Sequence, residues 1–440
     1  MSIGRPFVSV AFALGAAIGA ARAQHEHHTP PQPTPGPSAP VDDGRKLFQS
    51  DMSLMAGMTP GDADQRHAAP GWSRHILGIA RLSYNDQGGP SGRSVLESSN
   101  WNMAMAQHAA GRGRLTLMLM NSLEPITLEE AGSPHLFQTG ESLGGRPLVD
   151  RQHPHDFFMN LSLTYRLALS SASAAWIQLA PVGEPALGPT AFMHRASAGE
   201  NPTSPLGHHW EDSTHITWNV ATLGWGWRWL ALEASVFHGE EPDEERWNID
   251  GGSPDSASGR LTLRLPGAWS GQVSYGYLHD PEALEEGDTH RMSASVHYGA
   301  AGEGPFAATL LWGRNDEDHG ASDAWLLEAA YQFTPADHFY ARAEFVEKDY
   351  HLLYFKGAEV TPAIALPDIA EVGALTAGYL RDVWLQPEVR LGVGADLTAY
   401  SFPSRLDAVY GDFPLSFHVY LRLRWGRPHA AGPSDGHSEH

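Results

Sequence analysis

Cysteine is absent from all 440 residues. That excludes a disulfide framework and every metal or iron–sulfur site built on thiolates. Lysine is nearly absent too, standing only at Lys46, Lys348 and Lys356, so arginine carries the positive charge. Basic charge as a whole is short. The 51 Asp and Glu against 29 Lys and Arg give a formal net charge of −22, which argues against nucleic acid as a partner. Past residue 23 there is no uncharged apolar run of about 18 residues, so nothing reads as a membrane-spanning helix. No helical periodicity of useful length competes elsewhere.

The first residues carry an export signature. Met1–Arg5 is a short basic start, Phe7–Ala20 is apolar, and Ala21-Arg22-Ala23 is a small-residue cleavage site. Residues 1–23 therefore read as a secretory signal peptide. Residues 24–70 read as a periplasmic leader, His-rich at its start and then Pro-rich, which cannot bury a core and is expected to be disordered.

The segment Phe417–Trp425 (FHVYLRLRW) points to the fold. Phe417, Val419, Leu421, Leu423 and Trp425 share one strand face, while His418, Tyr420, Arg422 and Arg424 share the other. An unbroken apolar face opposite a basic one suits a wall with lipid outside and a polar lumen inside. Period-two alternation recurs in about sixteen segments, the first over 74–84 and the last over 415–425. The expectation is an all-β chain: a single antiparallel transmembrane β-barrel of about sixteen strands (14–18) over residues 71–426, with a His-containing tail over 427–440. Mid-strand charges at Arg264, Glu328, Arg342, Glu344, Glu388 and Arg390 would line a wet lumen. An even strand number puts both chain ends on the periplasmic side.

Two connections, 123–155 and 181–212, are far longer than the rest. Loops of that length are generally functional or folded into a cavity. Three acidic clusters, His238–Asp250, His279–His290 and Arg314–His319, fall between strands. They read as solvated loops or as a cation-attracting mouth.

Candidate metal ligands form three groups. His153, His155 and Asp156 close the first long loop, and imidazoles two residues apart can face one way in extended chain. If a strand covers 213–222 with Ile216, Trp218 and Val220 outward, then His209, Glu211 and His215 form a line of N and O donors on the inner wall, with His194 able to join either group. Such a set suits copper(II), zinc or nickel better than calcium or magnesium. In the leader, His25, His27 and His28 with Met52, Met55 and Met58 resemble soft-ligand segments for copper(I). The sequence has no G-x-S-x-G elbow, H-E-x-x-H or P-loop, and no catalytic residue stands out.

The segments LFQTGESLGGRPLVDRQHPHD (136–156), GEPALGPTAFMHRASAGENPTSPLGHHWEDSTHI (183–216) and VSYGYLHDPEALE (273–285) resemble a family of Gram-negative outer-membrane β-barrel proteins over roughly residues 45–425. The resemblance implies a porin-type barrel, and some members are associated with metal-handling systems, including copper resistance. The expected function is an outer-membrane channel for small ions or solutes, linked to copper or zinc. The alternatives are a plugged, metal-binding barrel without transport and an outer-membrane hydrolase. Expected partners are outer-membrane lipids, periplasmic metal-handling proteins and further copies of the chain.

Overall fold

The computed structural model describes residues 71–284, 286–300, 304–318, 320–358 and 368–426. The segments expected to be a signal peptide, a leader with candidate ligands His25, His27, His28, Met52, Met55 and Met58, and a C-terminal tail lie outside these.

Among the described residues, sixteen antiparallel strands close into one barrel. The first eight are β1 (Trp72–Gln87), β2 (Ser94–Ala110), β3 (Gly113–Asn121), β4 (Phe158–Ala168), β5 (Ser173–Gly183), β6 (Thr217–Trp227), β7 (Leu230–His238) and β8 (Ser256–Leu265). The second eight are β9 (Trp269–Leu278), β10 (Thr289–Tyr298), β11 (Phe306–Glu317), β12 (Gly320–Gln332), β13 (Asp337–Asp349), β14 (Ile369–Leu385), β15 (Val389–Ser401) and β16 (Leu415–Trp425). Each strand pairs with its sequence neighbours, and β1 pairs with β16, Leu82 opposite Leu421, so no edge is left open. Each of the sixteen alternating segments corresponds to one strand.

The alternation sorts side chains as expected on β16. Val419, Leu421 and Leu423 are exposed on the outer face, while His418, Tyr420, Arg422 and Arg424 are buried inside. The outer face is apolar on every side, with Leu223, Leu232, Val273, Leu310, Leu327, Leu375 and Leu397 all exposed. At the rim with the short turns, aromatic pairs such as Trp227–Trp229, Trp269–Tyr298 and Phe339–Tyr379 form a belt. Tyr84–Phe417 and Trp312–Trp325 lie toward the opposite rim. Two aromatic girdles around an apolar band are what a bilayer selects. Among the described residues no helix is long and apolar enough to cross a membrane.

The two rims differ. Connections at the rim shared by the barrel's two ends are tight, as at Pro266–Trp269, where Gly267 and Ala268 both take positive φ. Those at the other rim include 122–157 and 184–216, and both fold inward. Every residue of 184–216 is buried or half-buried. This segment is tied to the wall at many points. Arg195 donates to Glu328 of β12 (2.7 Å), and Ser197 meets Thr309 of β11 (2.8 Å). Arg81 of β1 donates to the Gly199 carbonyl (2.7 Å), and Arg342 of β13 to that of Thr203 (3.0 Å). Glu200 accepts from Arg424 (3.0 and 3.1 Å) and also from Arg422. Residues 122–157 add an apolar plug: Phe137 packs on Tyr400, Phe402 and Tyr410, with ring centroids 5.2, 5.0 and 4.1 Å apart.

This corrects the picture of a wet lumen at several positions. Glu328, Arg342 and Glu344 face inward but are buried against the plug, and Glu388 lies in the exposed turn between β14 and β15. The facing assigned to residues 213–222 is also reversed. β6 starts only at Thr217, and a bulge between Trp218 and Ala221, with Asn219 at φ 51°, shifts the alternation. Ile216, Trp218 and Val220 consequently point inward, and Trp218 joins the internal cluster with Met103, Met118 and Met159.

Candidate metal centre in the barrel lumen

The two inward loops bring five histidines together. His208 and His209 sit on a short helical turn, His208–Glu211, and His215 ends a 3-10 turn, Ser213–His215, so these residues belong to the plug rather than to a wall strand. His153 and His155 come from the extended end of the other loop. Successive ring centroids lie 6.1 Å (His153–His155), 5.5 Å (His155–His215), 5.3 Å (His215–His208) and 5.5 Å (His208–His209) apart. Glu141 closes the circuit, its carboxylate 2.6 Å from His153 Nε2 and 3.5 Å from His209 Nε2.

A second carboxylate arrives from the rim. Glu241 Oε1 lies 3.5 Å from His209 Nδ1. One ligand atom from each of Glu141, His209 and Glu241 lies within 4.8 Å of the others. Neither ring nitrogen of His209 has a hydrogen-bond partner, and Glu241 Oε1 has none. Buried polar groups are nearly always satisfied, so this cluster of orphans calls for a missing partner. Gly140, at φ 117°, makes the approach possible: a Cβ there would sit 2.6 Å from the His209 ring.

Electrostatics give that partner its sign. Burial, followed by the charge of Glu141, pushes the Glu241 carboxyl up to about 8. Glu282, from the second acidic cluster, is raised well above the carboxylate range by burial and then by Glu241 and Glu141. Glu141 is raised as well, chiefly by burial. Arg246 and Arg291 offset part of this crowding. Three half-buried carboxyl groups that repel one another are relieved by a cation. Burial holds His209 down at about 4 and His153 and His215 well below the usual imidazole range. They are therefore neutral near pH 7, the form that ligates metal.

The other imidazoles are oriented by oxygens. His155 Nδ1 meets Glu124 Oε2 (2.7 Å), His208 Nδ1 meets Asp212 Oδ1 (2.6 Å), and His215 Nδ1 meets the Asp212 carbonyl (2.9 Å). Burial opposes charge on both members of the His155–Glu124 pair, but their mutual attraction outweighs it, raising His155 and lowering Glu124. Beside His153 and His155 lies a cavity of about 70 Å³, lined also by Arg81, Glu97, Trp101 and His418.

Of the seven ligand candidates in the barrel, four meet here: His153, His155, His209 and His215. The other three do not. Asp156 pairs with Arg246 (3.1 Å). His194 packs edge-on against Trp101, centroids 4.7 Å apart. Glu211 turns toward the β11 wall, where a Cβ on Gly313 would meet its Cγ at 3.1 Å. The helical turn causes this last departure, because it sends adjacent residues in directions that strand alternation does not describe. Sequence reasoning missed Glu141, His208 and Glu241. Strand alternation run back through His209 places its neighbour His208 on the opposite face or in the loop, and Glu241 stands in an acidic run that reads as solvated loop. Nothing marks Glu141 in sequence.

No protein-family model matches this chain, and no curated protein matches it. Solved structures similar to it include an anion-selective porin from Comamonas acidovorans, with 10% identity over 81% of this chain and 100% of that one at a TM-score of 0.47. OprB of Pseudomonas putida has 9% identity over 81% and 94%, at 0.49. The outer-membrane channel DcaP of Acinetobacter baumannii has 10% identity over 81% and 97%, at 0.45. The closed sixteen-strand barrel itself rests on this chain's own strand pairing.

Proposed function

We propose that this protein is an outer-membrane barrel that binds a divalent transition-metal ion, zinc or copper(II), inside a lumen closed by its own loops. The observation that carries the reading is the Glu141–His209–Glu241 cluster, in which a buried His209 stands between two half-buried glutamates, short of hydrogen-bond partners and crowded with carboxyl groups. Imidazole with carboxylate is a donor set for zinc or copper(II), and without a thiolate or thioether it does not favour copper(I). Glu141, His209 and Glu241 would hold the ion, with His153 next to Glu141. The acidic clusters at the same rim would concentrate cations at the mouth.

Ion selection here would rest on ligand chemistry. The filled interior favours a binding barrel over an open pore: Arg342 and Arg422 are fully buried by the plug. The test is zinc binding to the refolded full-length barrel by equilibrium dialysis. Wild type retains stoichiometric zinc, and a Glu141→Gln/His209→Ala double variant loses it. A wild-type protein that retains no zinc or copper(II) would defeat the reading.

A further inference from the structure

The contacts that seat the 184–216 loop also have the form of a binding site. We propose that Arg81, Arg422 and Arg424, with Tyr420 and His338, form a site for a phosphate-class oxyanion, which the carboxylate of Glu200 fills in the closed barrel, so that free anion and seated loop compete for one cradle. This stands apart from the metal reading, and either can fail without the other.

Glu200 occupies the place of a bound anion. Arg424 grips its carboxylate as a fork, Nη1 donating to Oε1 at 3.0 Å and Nη2 to Oε2 at 3.1 Å, and Oε2 accepts from Arg422 as well. Two parallel N–H groups are how arginine recognises carboxylate and phosphate alike. The adjoining backbone is held by the same wall. The Gly199 carbonyl accepts from Arg81 (2.7 Å) and Arg424 (3.2 Å), and the Glu200 carbonyl accepts from the Tyr420 hydroxyl (3.1 Å). His338 Nδ1 lies 3.7 Å from Glu200 Oε1. Strands β1, β13 and β16 supply these wall groups, and two consecutive loop residues supply the oxygens. The wall is the receptor and the loop is the ligand.

The cradle offers more than Glu200 uses. Arg81 Nε and Arg422 Nε are buried with no hydrogen-bond partner. Buried polar groups are nearly always satisfied, so donors are in surplus here. Charge is in surplus too. Three buried guanidinium groups face the two carboxylates of Glu200 and Asp382, and Arg390 adds a fourth 3.9 Å from Asp382. A phosphate group brings more acceptor oxygens and more negative charge than a carboxylate, so it answers both surpluses.

Space adjoins the cradle. Pro202, Thr203 and Ser204, which follow Glu200 in the chain, line the cavity of about 70 Å³, and Arg81 lines it as well. At ~10–15 Å³ per water, it has room for several waters beside a retreating carboxylate. The approach is favourable in sign. Arg422 and Arg424 stand near the end of β16 and His338 near the start of β13, toward the rim of short turns, whereas the acidic clusters lie at the opposite rim. An anion arriving from the short-turn side avoids their repulsion.

The experiment compares inorganic phosphate with chloride at matched ionic strength, on refolded full-length barrel kept metal-free with a chelator. In calorimetric titration, Glu200→Gln should bind phosphate roughly 10–100-fold more tightly than wild type, the ratio that one charge-assisted contact commands, because the competing carboxylate is gone and the arginines remain. The double variant Glu200→Gln/Arg424→Gln should bind none. In planar bilayers, phosphate should open wild type more often than chloride does. Equal phosphate affinity in wild type and Glu200→Gln, or openings that chloride reproduces, would overturn the proposal. The bilayer comparison uses wild type alone, so it decides the matter even where a variant does not refold.

Discussion

Glu200 is the residue on which the closed lumen depends most. Its carboxylate accepts from Arg424 at 3.0 and 3.1 Å and from Arg422, and its backbone carbonyl accepts from Tyr420 (3.1 Å). All of these side chains are almost fully buried. Removing one partner of a buried ion pair costs ~3–5 kcal/mol, because the other charge stays buried without compensation. In Glu200→Ala, Arg422 would still have Asp382, and Arg424 would keep the Gly199 carbonyl at 3.2 Å. The cost should therefore fall at the low end, about 3 kcal/mol, which shifts the balance between seated and unseated plug by about 100-fold. Planar-bilayer recording and urea unfolding in lipid read the two consequences. Wild type should be silent apart from rare openings, and Glu200→Ala should open far more often and unfold at lower urea. Equal stability and equal silence would refute the idea that this ion cluster seats the plug. Steady current through wild type would refute the closed lumen itself.

Three further outcomes follow from the same geometry. Gly140→Ala would drive a methyl into the His209 ring from a backbone with positive φ, and zinc affinity should fall by about 10–100-fold, as for other perturbed ligand supports, measured by competition with a chelating dye. Leu421→Arg, placed between exposed Leu82 and Val393 on the outer face, should destabilise the barrel in vesicles by ~2–4 kcal/mol, whereas a residue facing water would tolerate it. In metal-free protein, stability should fall as pH drops from about 6.5 toward 4. Burial depresses His209 to about 4 and His194 to about 3, so in that window the unfolded chain binds protons that the folded one refuses. Each contributes a slope of up to about 1.4 kcal/mol per pH unit, read from urea midpoints in chelator, while His155, raised by Glu124, contributes in the opposite sense as pH rises through its own higher value.

The barrel was legible because its signal is repeated. Alternation such as Phe339–Val346 fixes two faces, and a strand that slipped by one residue would put Arg342 and Glu344 into the apolar outer layer. The closing residues of β16 carried the same information in nine positions. The site was only partly legible, because it lies on turns. Period-two reasoning extended backward from β6 put His209, Glu211 and His215 in line. The chain instead makes two short helical turns and a bulge there, which bring in His208 and turn Glu211 away. Glu141 and Glu241 are 100 residues apart and meet only because one loop descends into the barrel while the other caps it. No spacing rule connects them.

The most direct test of the central claim is anomalous X-ray scattering from crystals of the full-length barrel soaked in zinc. A peak bounded by Glu141, His209 and Glu241 is the expected result. Occupied zinc on the outer loops with none inside the lumen would contradict it.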